Sequence, residues 1–328
     1  MKIKWITFFV VLLGCCALTY FLFSKFHREK HAQQSPLSIK GAYFETIKIT
    51  DFFSQVPCID VRIGDTITTV KVDLGFCGNI SLPMELIEKL DQKIFMRRTS
   101  YFGMRGKKYY SAIYEIPEIK IGKVTLFQAK VQETNSEFEK DATLLKKEEV
   151  SSVSHLGRVG WPLFYNFNFF LDCENSLIAF CDSLITLKNR GFPVDSFIET
   201  PLLLDRNLIE FEALTEEGPI RCMLDTGCSW NILNKDLEGG SNNHMIFNPD
   251  NIDQHSALNS INSDQMLFEP EEVCDVQVFK IGQKDFGAVT FQKIRIPFEI
   301  DALIGMEFLD SKLVFIDFPN HKIYFYEK

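Results

Sequence analysis

From about residue 46 onward the chain is written in short runs of Val, Ile, Phe and Tyr, bounded by Gly, Pro, Asn and Asp. Runs of that kind predict β-strands rather than helices. Ile59-Asp-Val-Arg-Ile-Gly and Ile209-Glu-Phe-Glu-Ala are two examples. Ile121-Gly122-Lys123 and Ile281-Gly282-Gln283 mark tight hairpins. Another hairpin is expected over Thr99 to Tyr110, where Gly103 and Gly106 interrupt an aromatic-rich alternating run. Asn135 to Ser154 is charged and reads as a surface excursion; Ser241 to Asp264 is rich in Asn, Asp and Ser and reads as a long loop. The amino terminus breaks the pattern. Trp5 to Phe23 is nineteen residues without a charge, long enough to cross a bilayer as a helix. His27 to about Ala42 is polar and reads as a tether.

The β-rich part repeats. Aligning Gly160 with Gly305 matches Phe170 with Phe315, Asp172 with Asp317 and Asn175 with Asn320, without a gap. The tails Leu177-Ile-Ala-Phe180 and Lys322-Ile-Tyr-Phe325 agree as well. Upstream, Asp73-Leu74-Gly75 and Asp225-Thr226-Gly227 each follow one of the β-rich runs. They precede Asn79-Ile80-Ser81-Leu82 and Asn231-Ile232-Leu233-Asn234. The aspartate and the glycine anchor are 87 residues apart in the first copy and 80 in the second. Such a repeat defines the architecture. It predicts two lobes related by a pseudo-twofold axis, residues 46–184 and 185–328, after an anchor and tether over 1–45. Lys188-Asn-Arg-Gly-Phe-Pro193 falls in the connection. Asp172 and Asp317 sit in terminal strand–turn segments and read as turn formers.

Two Asp-x-Gly turns on matched scaffolds can bring two carboxylates face to face. Carboxylates about 3 Å apart cannot both ionise cheaply, so they share one proton. One can then act as base toward water while the other acts as acid toward a carbonyl oxygen. Asp73 and Asp225 are therefore the candidate catalytic pair for peptide hydrolysis. Gly75 and Gly227 allow a sharp turn and a close approach of backbone. Thr226 can donate a hydrogen bond across the interface and lock the two loops together.

Composition narrows the possibilities. Hydrophobic content of 46%, with 31 phenylalanines, is enough for two real cores. A net charge of −9 leaves no basic stripe to displace counterions, which argues against a nucleic-acid partner. No Cys-x-x-Cys pair occurs and the six histidines are scattered, so no metal site is expected. The acid–base chemistry calls for no cofactor. Of nine cysteines, Cys15 and Cys16 lie in the apolar amino-terminal run. The other seven cannot all pair within one monomer, and most read as buried thiols in apolar strands. Cys173 and Cys181 flank one hairpin and could form a disulfide.

The Trp5–Phe23 run exceeds a usual secretory core and lacks an Ala-x-Ala site, which predicts an uncleaved single-pass anchor. Lys2 and Lys4 precede it; Lys25, Arg28 and Lys30 follow it. A short basic tail held inside would place the bulk of the chain outside the cytoplasm, an extracytoplasmic (periplasmic) setting. Leu12-Leu13-Gly14-Cys15 loosely resembles a lipobox, which would make acylated Cys15 the alternative anchor.

Cys222-Met-Leu-Asp225-Thr-Gly-Cys-Ser-Trp-Asn-Ile-Leu233, with Ala302-Leu-Ile-Gly305-Met-Glu-Phe-Leu309 and Val314-Phe-Ile-Asp317-Phe, resembles the bacterial retropepsin-like aspartyl protease family. The second copy fits that pattern from end to end, and the first fits the same frame more weakly. The resemblance implies an all-β acid-protease fold with β-barrel-like lobes, a substrate cleft between them and a flap hairpin. It implies a membrane-anchored aspartic endopeptidase with both lobes in one chain, monomeric in its catalytic unit, acting on a protein or peptide substrate. By position, Asp73 and Asp225 match the dyad and Thr226 the interlocking threonine. Gly160 and Gly305 match the glycine beneath each catalytic loop. Tyr101, Phe102, Gly103 and Met104 fall where the flap would touch substrate. There are departures. Leu74 stands where a threonine or serine is usual and cannot supply its half of the interlock. Phe76 and Cys228 replace the serine that follows the catalytic turn in pepsins, which implies an optimum less acidic than pepsin's. The alternative expectation is a catalytically inactive peptide-binding or envelope scaffolding protein on the same fold.

Overall fold

The computed structural model describes residues 43–53, 55–102, 108–134, 157–165, 167–204, 207–234, 272–294 and 300–327, with backbone alone at 53, 101 and 102. The expected anchor at 5–23, Cys15, the excursion at 135–154, the loop at 241–264, and Gly103 and Met104 lie outside the described residues. Among the described residues no helix is long and apolar enough to cross a membrane.

The described chain is mostly β, in three curled sheets. One eight-stranded sheet is built from strands between Asp51 and Gly160, and a second from strands between Glu210 and Ile304. A six-stranded sheet takes strands from both halves. The strands form where the sequence alternates. In Val56–Ile63, Ile59, Val61 and Ile63 are buried while Asp60 and Arg62 are exposed. In Glu210–Thr215, Phe211, Ala213 and Thr215 are buried while Glu212 and Leu214 are exposed. That period of two puts one face of each strand on the core. The Ile-Gly signals become turns, with Gly122 at φ +59° and Gly282 at φ +56°. Both values lie in the left-handed region that favours glycine. Thr99–Tyr110 falls on a hairpin whose arms, Ile94–Phe102 and Lys108–Ile121, pair antiparallel as far as Phe102 opposite Lys108.

The repeat is visible in the pairing. Thr66–Asp73 runs parallel to Gly157–Gly160, and Gly218–Leu224 runs parallel to Ala302–Ile304. Ile80–Pro83 runs parallel to Val124–Thr134, and Ile232–Asn234 to Val289–Ile294. In the six-stranded sheet Asn168–Asp172 pairs antiparallel with Lys312–Asp317, and Phe170 lies directly opposite Phe315. These are the residues that the Gly160/Gly305 alignment equates. A strand pair in which equivalent residues face each other has its local twofold axis through that rung. Both strands are buried along their whole length. Their turns are also alike. Asp172 accepts from Asn175 N at 3.2 Å and Asn175 Nδ2 at 2.7 Å. Asp317 accepts from Asn320 N at 3.1 Å and Asn320 Nδ2 at 2.8 Å. Both aspartates are turn formers, as the sequence implied.

Two readings need adjustment. Cys173 and Cys181 stand as thiols rather than a disulfide. The reason is register: Cys181 faces Asn168 at the far end of the hairpin, whereas Cys173 lies in its turn. The ordered β structure also begins before residue 46, because Phe44–Lys48 pairs with Leu177–Cys181.

Candidate active site

Each Asp-x-Gly turn leaves the end of a strand that is held in parallel pairing by a short glycine-terminated neighbour. Asp73 is in register with Gly160, and Asp225 N donates to Ile304 O at 3.0 Å, one residue before Gly305. The loops rest directly on those glycines. A Cβ at Gly160 would lie 2.2 Å from both Phe76 O and Gly78 O. One at Gly305 would lie 2.2 Å from Trp230 O and 2.7 Å from Cys228 O. Any side chain there would push the turn, and its aspartate, out of place.

The two turns face each other reciprocally. A Cβ at Gly75 would lie 2.6 Å from Asp225 Cγ, and one at Gly227 would lie 2.5 Å from Asp73 Cγ. Each carboxyl therefore sits against the glycine of the opposite turn. Gly75 N donates to Asp225 Oδ1 at 3.1 Å, and Gly227 N donates to the same oxygen at 2.7 Å. The structure thus brings together Asp73, Asp225, Gly75, Gly227, Thr226, Gly160 and Gly305. Of the expected flap residues, Tyr101 and Phe102 are described in backbone only.

Thr226 links the loops from the second side alone. Its Oγ1 donates to Val72 O at 2.7 Å and accepts from Leu74 N at 3.1 Å. Leu74 has no hydroxyl to return these bonds; its side chain is buried in the apolar core. Thr226→Val is expected to leave a buried carbonyl and a buried N–H without this partner, costing about 1–3 kcal/mol for each. Thr226→Ser should retain most of the stability. Thermal melts of both variants check this, and equal midpoints would show that the hydroxyl contributes nothing.

Charge is distributed unequally. Burial, and then the neighbouring Asp73 carboxyl, push Asp225 up to about 7, against the opposing pull of the Gly227 and Gly75 N–H groups. Asp225 as a residue keeps some solvent contact, but its carboxyl is enclosed by the two turns. The first side carries two cations. Arg158 Nη1 lies 3.2 Å from Asp73 Oδ2, and both side chains are nearly covered, at 11% and 12% exposure. Lys71 is paired in register with Arg158 on the adjacent strand. Burial, and then Arg158, push Lys71 down to about 8. The matching rung of the second copy holds Met223 and Leu303, both buried in an apolar cluster. The Phe76 ring lies 5.5 Å from the Arg158 guanidinium carbon. Sequence reasoning missed both cations. The signal was present: extending the Gly160/Gly305 alignment upstream puts Arg158 against Leu303.

Asp225 holds its proton more tightly in the fold than in the unfolded chain. Its stabilising contribution is fully present below the ordinary value of 3.8 and is lost as pH rises through about 7. The stability of the wild type relative to Asp225→Asn is therefore expected to fall across that interval. Paired denaturation curves over pH measure it; a pH-independent difference between the two proteins would count against an elevated Asp225.

Beside the pair, Cys77 Sγ donates to Asn207 O at 3.2 Å and Trp161 Nε1 donates to the same carbonyl at 3.0 Å. This ties the first turn to the start of the second half. Among the described residues no group of three or more His, Cys, Asp or Glu side chains is placed to hold a metal ion.

No protein-family model matches the chain, and no curated protein matches it. Among solved structures it is similar to the crystal structure of basic 7S globulin from soybean, with a TM-score of 0.53 and 11% identity. The similarity covers 87% of this chain and 95% of that one. At that identity the likeness is one of fold, and it agrees with the all-β architecture.

Proposed function

We propose that the chain is an aspartic endopeptidase with the acid-protease fold, its two lobes spanning about 46–184 and 185–328. What carries the reading is the reciprocal seating of each carboxyl on the opposite turn, with Gly75 N 3.1 Å from Asp225 Oδ1. Carboxyls so placed share one proton. With that proton on Asp225, Asp73 takes a proton from water as the water oxygen bonds to the peptide carbon. Asp225 passes its proton to the carbonyl oxygen, giving a neutral gem-diol. Asp73 then delivers its proton to the leaving nitrogen as the C–N bond breaks, and Asp225 recovers one from a gem-diol hydroxyl. The 94–121 hairpin is the proposed flap. Residues 5–23, or a lipid on Cys15, would attach the enzyme to a membrane with its catalytic part outside the cytoplasm.

The test is incubation of the purified full-length chain with casein and a mixed peptide pool, with and without pepstatin, from about pH 3 to pH 8. Pepstatin-sensitive cleavage supports the reading; intact substrate throughout sinks it. A second reading, a peptide-binding protein without turnover, is favoured by Leu74 at the interlock, which returns no hydroxyl to the opposite loop. Saturable peptide binding without cleavage would select it.

A further inference from the structure

Arg158 and Lys71 break the symmetry of the site by charge, since Leu303 and Met223 hold the matching positions of the second copy. Both lie on strands that end at the first catalytic turn, at the rung two residues before Asp73 and Gly160. Strand periodicity puts residues 71 and 73 on the same face. The guanidinium is held in place by its ion pair to Asp73 and the nearby Phe76 ring. Met223 and Leu303 show that the fold accepts an apolar pair at this rung, so the cations are not required to build it.

We propose that Arg158 is a positioning residue that assigns the two carboxylates unequal roles, holding Asp73 as the charged base and leaving the shared proton on Asp225. This rests on the peptidase reading for its kinetic consequence, though not for its electrostatics. The groups facing Asp73 can be named. Arg158 approaches from the Gly157–Gly160 strand, Lys71 from Asp73's own strand and Asp225 from the opposite turn. The thiols of Cys77 and Cys228 flank the pair, both raised above the ordinary thiol value, first by burial, and so uncharged. Cys77 is exposed as a residue, but its Sγ is tucked against the Asn207 carbonyl. Cys58 lies near Lys71 rather than the dyad. Arg158 is the cation in direct contact with the carboxylate.

Arg158 Nη1 stands 3.2 Å from Asp73 Oδ2, so its positive charge bears directly on the ionised carboxylate. In Arg158→Leu the ionised form of Asp73 loses that support. The acid limb of the kcat/KM profile should therefore move to higher pH by about 1 unit or more. Arg158→Lys, which keeps the charge, should hold the limb near its original place. Should Arg158→Leu fail to fold by circular dichroism, Lys71→Met with Arg158→Leu copies the rung of the second half and takes its place. An unmoved limb in a folded variant overturns the proposal. The carboxyl titration is read independently by ¹³C NMR of aspartate-labelled protein, whether or not the protein cleaves anything. If the wild type is inactive, the peptidase reading fails on that fact alone, while a shifted Asp73 resonance still supports the charge assignment. An unshifted one overturns it.

Discussion

Asp225→Asn and Asp73→Asn are each expected to reduce peptide cleavage by roughly 10²–10⁴-fold or to background, the usual loss when a positioned acid or base is removed. The two losses should be nearly equal, and the double variant should be little worse than either single one, because the carboxyls act as a unit. The reason lies in the contacts. Asp225 receives N–H bonds from the glycines of both turns, and Asp73 lies against Gly227. Asparagine fits the same space but cannot exchange the shared proton. Loss in Asp225→Asn alone, with Asp73→Asn still active, would mean that two chains combine their second halves to hydrolyse substrate. Retention in both would end the dyad mechanism. Steady-state cleavage of one fluorogenic peptide across the four proteins decides among these.

Gly160→Ala and Gly305→Ala are expected to cost about 3 kcal/mol or more, the upper part of the overpacking range. Each new Cβ would meet a backbone carbonyl oxygen at 2.2 Å. Backbone atoms at the base of a paired turn cannot swing aside as a long side chain can. Against a total stability of about 5–15 kcal/mol, one such change removes a large share of the fold. Gly64→Ala is the control. It has positive φ but nothing within 4 Å of a new Cβ, so it should cost only the left-handed strain, about 1–2 kcal/mol. Urea midpoints for the three variants test the ranking. A Gly305→Ala protein as stable as Gly64→Ala would show that the loop does not rest on Gly305 as described.

What could be read from the sequence was whatever depends on local backbone chemistry. The Asp-x-Gly turns, the Ile-Gly hairpins and the Asp172 and Asp317 turns each carry their cause within a few residues. Gly160 and Gly305 were legible because an ungapped repeat marked them. Arg158 was not, since its meaning comes from an ion pair to Asp73, 85 positions away, across a parallel strand pair. Nothing near Arg158 in sequence shows that a carboxylate will be its partner. The same holds for Asn207, whose carbonyl gathers Cys77 and Trp161 from two separate segments. The start of the six-stranded sheet at Phe44 was missed because a single edge strand after a polar stretch has little periodicity to display.

The rung formed by Phe170 and Phe315 has an evolutionary corollary. When a twofold axis relates separate subunits, every substitution arrives twice, and a lysine and arginine placed behind one aspartate would necessarily stand behind the other. Here the axis passes through a single polypeptide. Either half can differ alone, and the two do: one carries Leu74 with Lys71 and Arg158, the other Thr226 with Met223 and Leu303.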